Sequence, residues 1–161
     1  MLDIGDFAPD FSLPAIASDG SDTTLSLGAL RGQPVVLFFY PRDSTPTCTL
    51  EAESFSMGAA DFAALGAHVV GISKDSLSAH RKFQTRKNLA LTLASDAESD
   101  TCERYGAWGA KKLYGRAYEG ILRNTYLIDS EGRIAAIWLS VKVAGHTEEV
   151  MAAIKNIENR P

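Results

Sequence analysis

An α/β fold layered around a mixed sheet is what this sequence predicts, on three observations. Apolar runs of strand length, Val35 to Tyr40 and His68 to Ser73, alternate with stretches whose apolar residues recur at helical spacing. The turn sequence Ser130-Glu131-Gly132-Arg133 separates two further apolar runs near the carboxyl end, the pattern of an antiparallel hairpin. A length of 161 residues, 45% hydrophobic and 22% charged, suits one domain over residues 1–161 with a full core and no comfortable second one.

Taken in order, Gly5, Pro9, Pro14 and Gly20 punctuate short extended pieces. The alternation in Phe11-Ser12-Leu13 and Thr24-Leu25-Ser26-Leu27 predicts a small edge hairpin. Val35 to Tyr40 reads as a buried strand that stops at Pro41. From about Thr47 the spacing of Phe55, Phe62 and Leu65 predicts a helix, which Gly66 ends. His68 to Ser73 is the next buried strand, and Ser76 to about Lys87 an amphipathic helix with Leu77, His80 and Phe83 on related faces. Leu89 to Leu93 is a short strand or the approach to one. The acidic run from Ser95 to Asp100 suits a helix start, and that helix holds Cys102 and Tyr105 before Gly106. Residues 106–121, rich in glycine, aromatics and lysine, are expected to form a long surface excursion. Arg123 to Asp129 and Ile134 to Leu139 pair as strands, and Thr147 and Glu149 open a last helix carrying Val150, Ile154 and Ile157. Strands alternating with helices, then a hairpin and a helix, give α/β layers.

Composition removes several function classes. The net charge is −4 and the longest cationic runs are pairs such as Lys111-Lys112, so neither a nucleic acid nor an anionic membrane has electrostatic support as a partner. No apolar run approaches the roughly 20 residues of a spanning helix. The start, MLDIGDFAPDF, is acidic and lacks the pattern of a secretory signal. Two cysteines make no disulfide framework, and a reducing cytoplasm is the simplest compartment. His68, His80 and His146 have no cysteine at ligand spacing, so no zinc site is expected. Phosphate-loop and dinucleotide fingerprints are missing, and no cofactor is expected.

The stretch that carries chemistry is Pro41-Arg42-Asp43-Ser44-Thr45-Pro46-Thr47-Cys48. It places Cys48 in the first turn of a helix just beyond the carboxyl end of a strand. Backbone N–H groups there are unpaired and the helix dipole is positive, and both favour a thiolate over a thiol. A lone cysteine is more often a small buried hydrophobe. The flanking Thr45, Pro46, Thr47 and Thr49 are polar or rigid instead, which favours the reactive reading. Arg42 and Asp43 read as solvated loop charges.

Pro41-x-x-x-Thr45-x-x-Cys48 resembles the active-site signature of the peroxiredoxins, and VVLFFYPRDSTPTCTLEAESF resembles their bacterioferritin comigratory protein, or peroxiredoxin Q, subgroup. A second match lies far along the chain at Gly120-Ile121-Leu122-Arg123-Asn124-Thr125-Tyr126-Leu127-Ile128-Asp129, where the family carries an arginine that reaches the cysteine. The resemblance runs from Gly5 to the last helix and departs inside the signature, where Thr47 replaces the usual glycine. It implies a thioredoxin-like three-layer fold. It also implies a thiol peroxidase that reduces hydrogen peroxide and organic hydroperoxides through a Cys48 sulfenic acid, with thioredoxin or glutaredoxin as reductant, acting as a monomer or weak homodimer.

In that resemblance Arg123 favours the ionised sulfur, the Thr45 hydroxyl and the Thr47 and Cys48 N–H groups hold the peroxide, and Pro41 shields the sulfur. Glu51, one turn after Cys48, either holds Arg123 or only favours the helix start. Arg123 also reads as a surface ion-pair partner. Cys102 is the sole second cysteine. It can resolve Cys48, yet the pattern Cys102-x-x-Tyr105 looks like an inward stripe, so a one-cysteine cycle with an external thiol is expected. Trp108, Tyr114 and Tyr118 suit either a partner surface or the edge of the core. Two other readings are a thiol–disulfide oxidoreductase, disfavoured by the missing Cys-x-x-Cys, and a redox-inert binding module on the same fold.

Overall fold

The structure is a computed structural model that describes residues 1–158. Its centre is β3 (Val35–Phe39), five residues buried without interruption because the strand is covered on both faces. It pairs in parallel with β4 (His68–Ser73), which pairs in parallel with β5 (Thr92–Ser95). On its other side β3 pairs antiparallel with β8 (Thr125–Ile128), followed by β9 (Ile134–Trp138). The leader hairpin, β1 (Ser12–Ile16) and β2 (Asp22–Ser26), adds antiparallel to β5. The order β2-β1-β5-β4-β3-β8-β9 is one seven-stranded mixed sheet, the thioredoxin-like arrangement.

Successive residues of a strand point to opposite faces, and β3 divides the core accordingly. Val36, Phe38 and Tyr40 face one cluster, together with Ala52 and Phe55 of α1 (Pro46–Met57), Phe62 of α2 (Ala59–Ala64), Phe83 of α3 (Leu77–Lys87), and Val150 and Ile154 of α5 (His146–Glu158). Val35, Leu37 and Phe39 face the other, with Phe11, Leu13, Cys102 of α4 (Thr101–Arg104), Tyr105 and Tyr126. Connections between parallel strands keep one hand, so the crossovers through α1 and α3, which both step toward β5, lie on the same face. Phe38 stacks on Phe55 with ring centroids 4.5 Å apart and so fixes α1 against β3. Gly71, opposite Phe38 in the ladder, makes room for that ring: a Cβ there would lie 2.7 Å from Phe38 Cζ.

Two expectations need correction. The helix after Cys48 is two pieces, α1 and α2, because the chain turns at Gly58. Residues 106–121 do run over the surface, but as a separate two-stranded sheet that the sequence reading does not assign, β6 (Trp108–Leu113) with β7 (Arg116–Ile121). Its turn is Tyr114-Gly115, both at positive φ (+52° and +77°), as a two-residue hairpin turn of the primed kind requires. Trp108 is half-buried against the core, whereas Tyr114 at the tip is fully exposed. The remaining boundaries fall within a few residues of the sequence reading.

Candidate active site

Cys48 lies at the third position of α1. Thr45 is the N-cap in extended conformation and Pro46 occupies the first turn, where its missing N–H costs nothing. The first intrahelical bond runs from Thr49 N to Thr45 O (2.9 Å), so the N–H groups of Thr47 and Cys48 precede the hydrogen-bonded ladder. Cys48 is almost wholly buried, at 1% exposure.

Arg123 reaches it from the other side of the sheet order. Because β8 runs antiparallel to β3, the start of β8 lies beside the end of β3, with Phe39 N donating to Asn124 O (2.8 Å). The Arg123 fork then spans two partners: Nη2 donates to Cys48 Sγ at 3.4 Å and Nη1 to Glu51 Oε1 at 2.7 Å. Glu51 shares a face with Cys48 because residues three apart on a helix are neighbours. Its side chain is 1% exposed, and Oε2 has no hydrogen-bond partner among the described residues. Burial pushes the Glu51 carboxyl up to about 7 against the opposing pull of Arg123. Burial likewise works against the charge of Arg123, but Glu51 and Cys48 together outweigh it and hold the guanidinium above its usual value. Lys111 of β6, which donates to Ile121 O (2.8 Å), is a cation that sequence reasoning missed. Burial and then the Arg123 charge lower its pKa, while the Cys48 sulfur opposes them.

Pro41 is half-buried at the head of the loop, and the Thr45 hydroxyl donates to Arg42 O (2.8 Å). That proton is therefore committed, and what Thr45 turns toward a ligand is lone pairs. Asp43 is a third correction. It is buried, not solvated, with its carboxylate bonded to Tyr40 and His80, and no local sequence signal marks a partner 37 positions away. Cys102 stands apart, in the core cluster on the opposite face of the sheet from Cys48. Burial first, then Asp96, pushes its thiol far above the usual range. The structure thus joins Cys48, Glu51 and Arg123 through the guanidinium, sets Thr45 at the N-cap of the same helix with Pro41 at the head of its loop, and leaves Cys102 out.

The AhpC/TSA family model matches residues 4–137. The chain is a peroxiredoxin of the AhpC/TSA family. It is 38% identical over 159 residues to peroxiredoxin Bcp of Bacillus subtilis, covering 99% of both chains. The peroxiredoxin superposes on the bacterioferritin comigratory protein of Xanthomonas campestris, a protein described for alkyl peroxide reduction, with a TM-score of 0.84, 35% identity and 98% of each chain covered. A PrxQ from Xylella fastidiosa gives a TM-score of 0.88 at 32% identity, over 99% of both chains.

The buried carboxyl of this peroxiredoxin has a measurable signature. With a folded value near 7 against 4.5 for the free group, the native state holds a proton in that window which the unfolded chain has lost. The contribution of Glu51 to stability is therefore greatest below about pH 4.5 and declines as pH rises through 7, by on the order of 3 kcal/mol. Glu51→Gln keeps an acceptor for Arg123 and cannot ionise. Urea unfolding of both proteins at about pH 5 and about pH 8 is expected to show the variant gaining on wild type at the higher pH. A difference that does not change with pH would mean that the carboxyl does not titrate in that window.

Proposed function

We propose that this thiol peroxidase reduces hydrogen peroxide and organic hydroperoxides through Cys48 in a one-cysteine cycle. The observation that carries the reading is the Arg123 fork, which places a guanidinium on a buried sulfur at a helix start. Such a cation favours the thiolate, the nucleophilic form. The thiolate attacks one peroxide oxygen, the O–O bond breaks, and sulfur takes the hydroxyl as a sulfenic acid. The departing alkoxide or hydroxide takes a proton from solvent. Arg123 and the Thr47 and Cys48 N–H groups are placed to stabilise that negative charge as it develops. With its own proton on Arg42 O, the Thr45 oxygen accepts a hydrogen bond from the peroxide hydroxyl and so holds the peroxide in line, and Pro41 covers the loop side of the sulfur.

An external thiol, such as that of thioredoxin or glutaredoxin, then attacks the sulfenic acid and releases water, and a second thiol frees Cys48. The opposite-face placement of Cys102 supports this cycle, since a disulfide needs Cα atoms within about 7 Å. A single domain over residues 1–161, working as a monomer or weak homodimer in the cytoplasm, completes the reading. Both cysteines are free, which suits a reducing compartment, and among the described residues no helix is long and apolar enough to cross a membrane. The test is intact mass under non-reducing conditions after one equivalent of hydrogen peroxide. A monomer one oxygen heavier is expected, for wild type and Cys102→Ser alike. A monomer two hydrogens lighter, with Cys48 and Cys102 joined in the peptide map, would replace the external thiol by Cys102. No mass change with peroxide left unconsumed would leave a thiol–disulfide oxidoreductase or a redox-inert module.

A further inference from the structure

The loop carrying Thr45 is fastened from beneath by groups that the reaction above does not use. The Asp43 carboxylate accepts the Tyr40 hydroxyl at Oδ1 (2.6 Å) and meets His80 Nδ1 at Oδ2 (2.7 Å). His80, on α3, is wholly buried, and its Nε2 lies 3.0 Å from Ala94 O. A carbonyl only accepts, so Nε2 is the donor in that contact. The Asp43 N–H donates to Asp75 Oδ2 (2.9 Å), which also accepts from Ser73 Oγ (2.5 Å). Asp43, Asp75 and His80 have the chemistry of metal ligands and lie within 4.8 Å of one another, yet each is already engaged in these bonds. The cluster is built as a clamp.

What it clamps is a strained loop. Ser44, next to Asp43, sits at φ +64°, a left-handed conformation that a non-glycine residue keeps only where its surroundings enforce it. On one side of Asp43 is the Arg42 carbonyl that receives the Thr45 hydroxyl, and on the other are Ser44 and Thr45 itself. Cys48 is held independently, by α1 stacking on β3 and by Arg123.

We propose that His80, through Asp43, is a positioning residue for peroxide reduction: it holds the Pro41–Thr45 loop in the conformation that presents Thr45 to the hydroperoxide, without itself reaching the substrate. The proposal rests on the hydroperoxide reading of the site. Losing the clamp frees Ser44 to relax and moves Thr45, while the sulfur and its cation stay in place.

The test compares two reactions of Cys48 at one pH, reduction of hydrogen peroxide, which needs Thr45, and alkylation by iodoacetamide, which does not. His80→Leu is expected to slow the peroxide reaction by about 10- to 100-fold, the scale of an ångström of misplacement, and to leave alkylation unchanged. His80→Gln, which retains a donor toward Asp43, recovers part of the loss. A fall in both reactions together, or in neither, overturns the clamp. Should the leucine variant not fold, Tyr40→Phe removes one hydrogen bond at constant ring volume, and an unchanged peroxide rate in that variant overturns it equally. A wild type that consumes no peroxide sinks the functional reading, and the clamp with it. Wild-type turnover matched by every variant sinks the clamp alone.

Discussion

Arg123→Met is expected to slow the reaction with hydrogen peroxide by about 10³-fold, through loss of one cation that serves two partners. Methionine fills much of the same space and keeps the flexible stem, so the loss isolates the guanidinium. Glu51 is then a buried carboxyl with no counter-ion. Removing one member of a buried pair costs about 3–5 kcal/mol when the other must stay charged. A carboxyl already near 7 escapes much of that cost by keeping its proton. The destabilisation is therefore expected to be small at about pH 5 and to grow toward about pH 8, readable from urea unfolding of variant and wild type. Arg123→Lys should recover only part of the rate, because one ammonium cannot span both Sγ and Oε1 as the planar fork does. An unchanged peroxide rate in the methionine variant would leave Arg123 a structural residue.

Thr45→Val comes next in expected size. Valine keeps the branched shape and suits the extended backbone of this N-cap, at φ −82° and ψ 155°. What disappears is one hydroxyl, whose proton goes to Arg42 O and whose lone pairs, in the proposed reaction, accept a hydrogen bond from the peroxide. Arg42 is exposed, so water can replace the lost donor on its carbonyl. The stability cost is small and the effect falls on the reaction, a drop of about 10²–10³-fold in the second-order rate constant. Thr45→Ser should stay close to wild type. Equal rates for valine and wild type would remove the hydroxyl from the chemistry.

How much of this was legible in the chain depended on whether the signal was local. β3, the Pro41 stop and the helix start before Cys48 are each written within a few residues, as apolar run, breaker and cap. β4 matched its expected limits, His68 to Ser73. The β6–β7 hairpin was hidden because its turn is Tyr114-Gly115, not the Asn-Gly or Asp-Gly that marks such turns, and because Lys111 and Lys112 blur its alternation. A glycine at the second turn position was the signal available there. The burial of Asp43 had none, since its partner His80 is brought over by the packing of α3 against the sheet. Glu51 lay between: its spacing from Cys48 was visible, but its orphaned oxygen follows from the buried face it shares.

The placement of the two thiols on opposite faces of the sheet also sets a clock. In the proposed one-cysteine cycle no neighbouring sulfur closes on oxidised Cys48, which waits for a reductant that must arrive by diffusion, and the waiting time is inversely proportional to the reductant concentration. During that interval a second peroxide competes for the same atom and carries it on to the sulfinic acid, beyond ordinary thiol repair. The molecule then behaves as a fuse whose rating belongs to its surroundings: the peroxide burst it survives is fixed by the supply of external thiol.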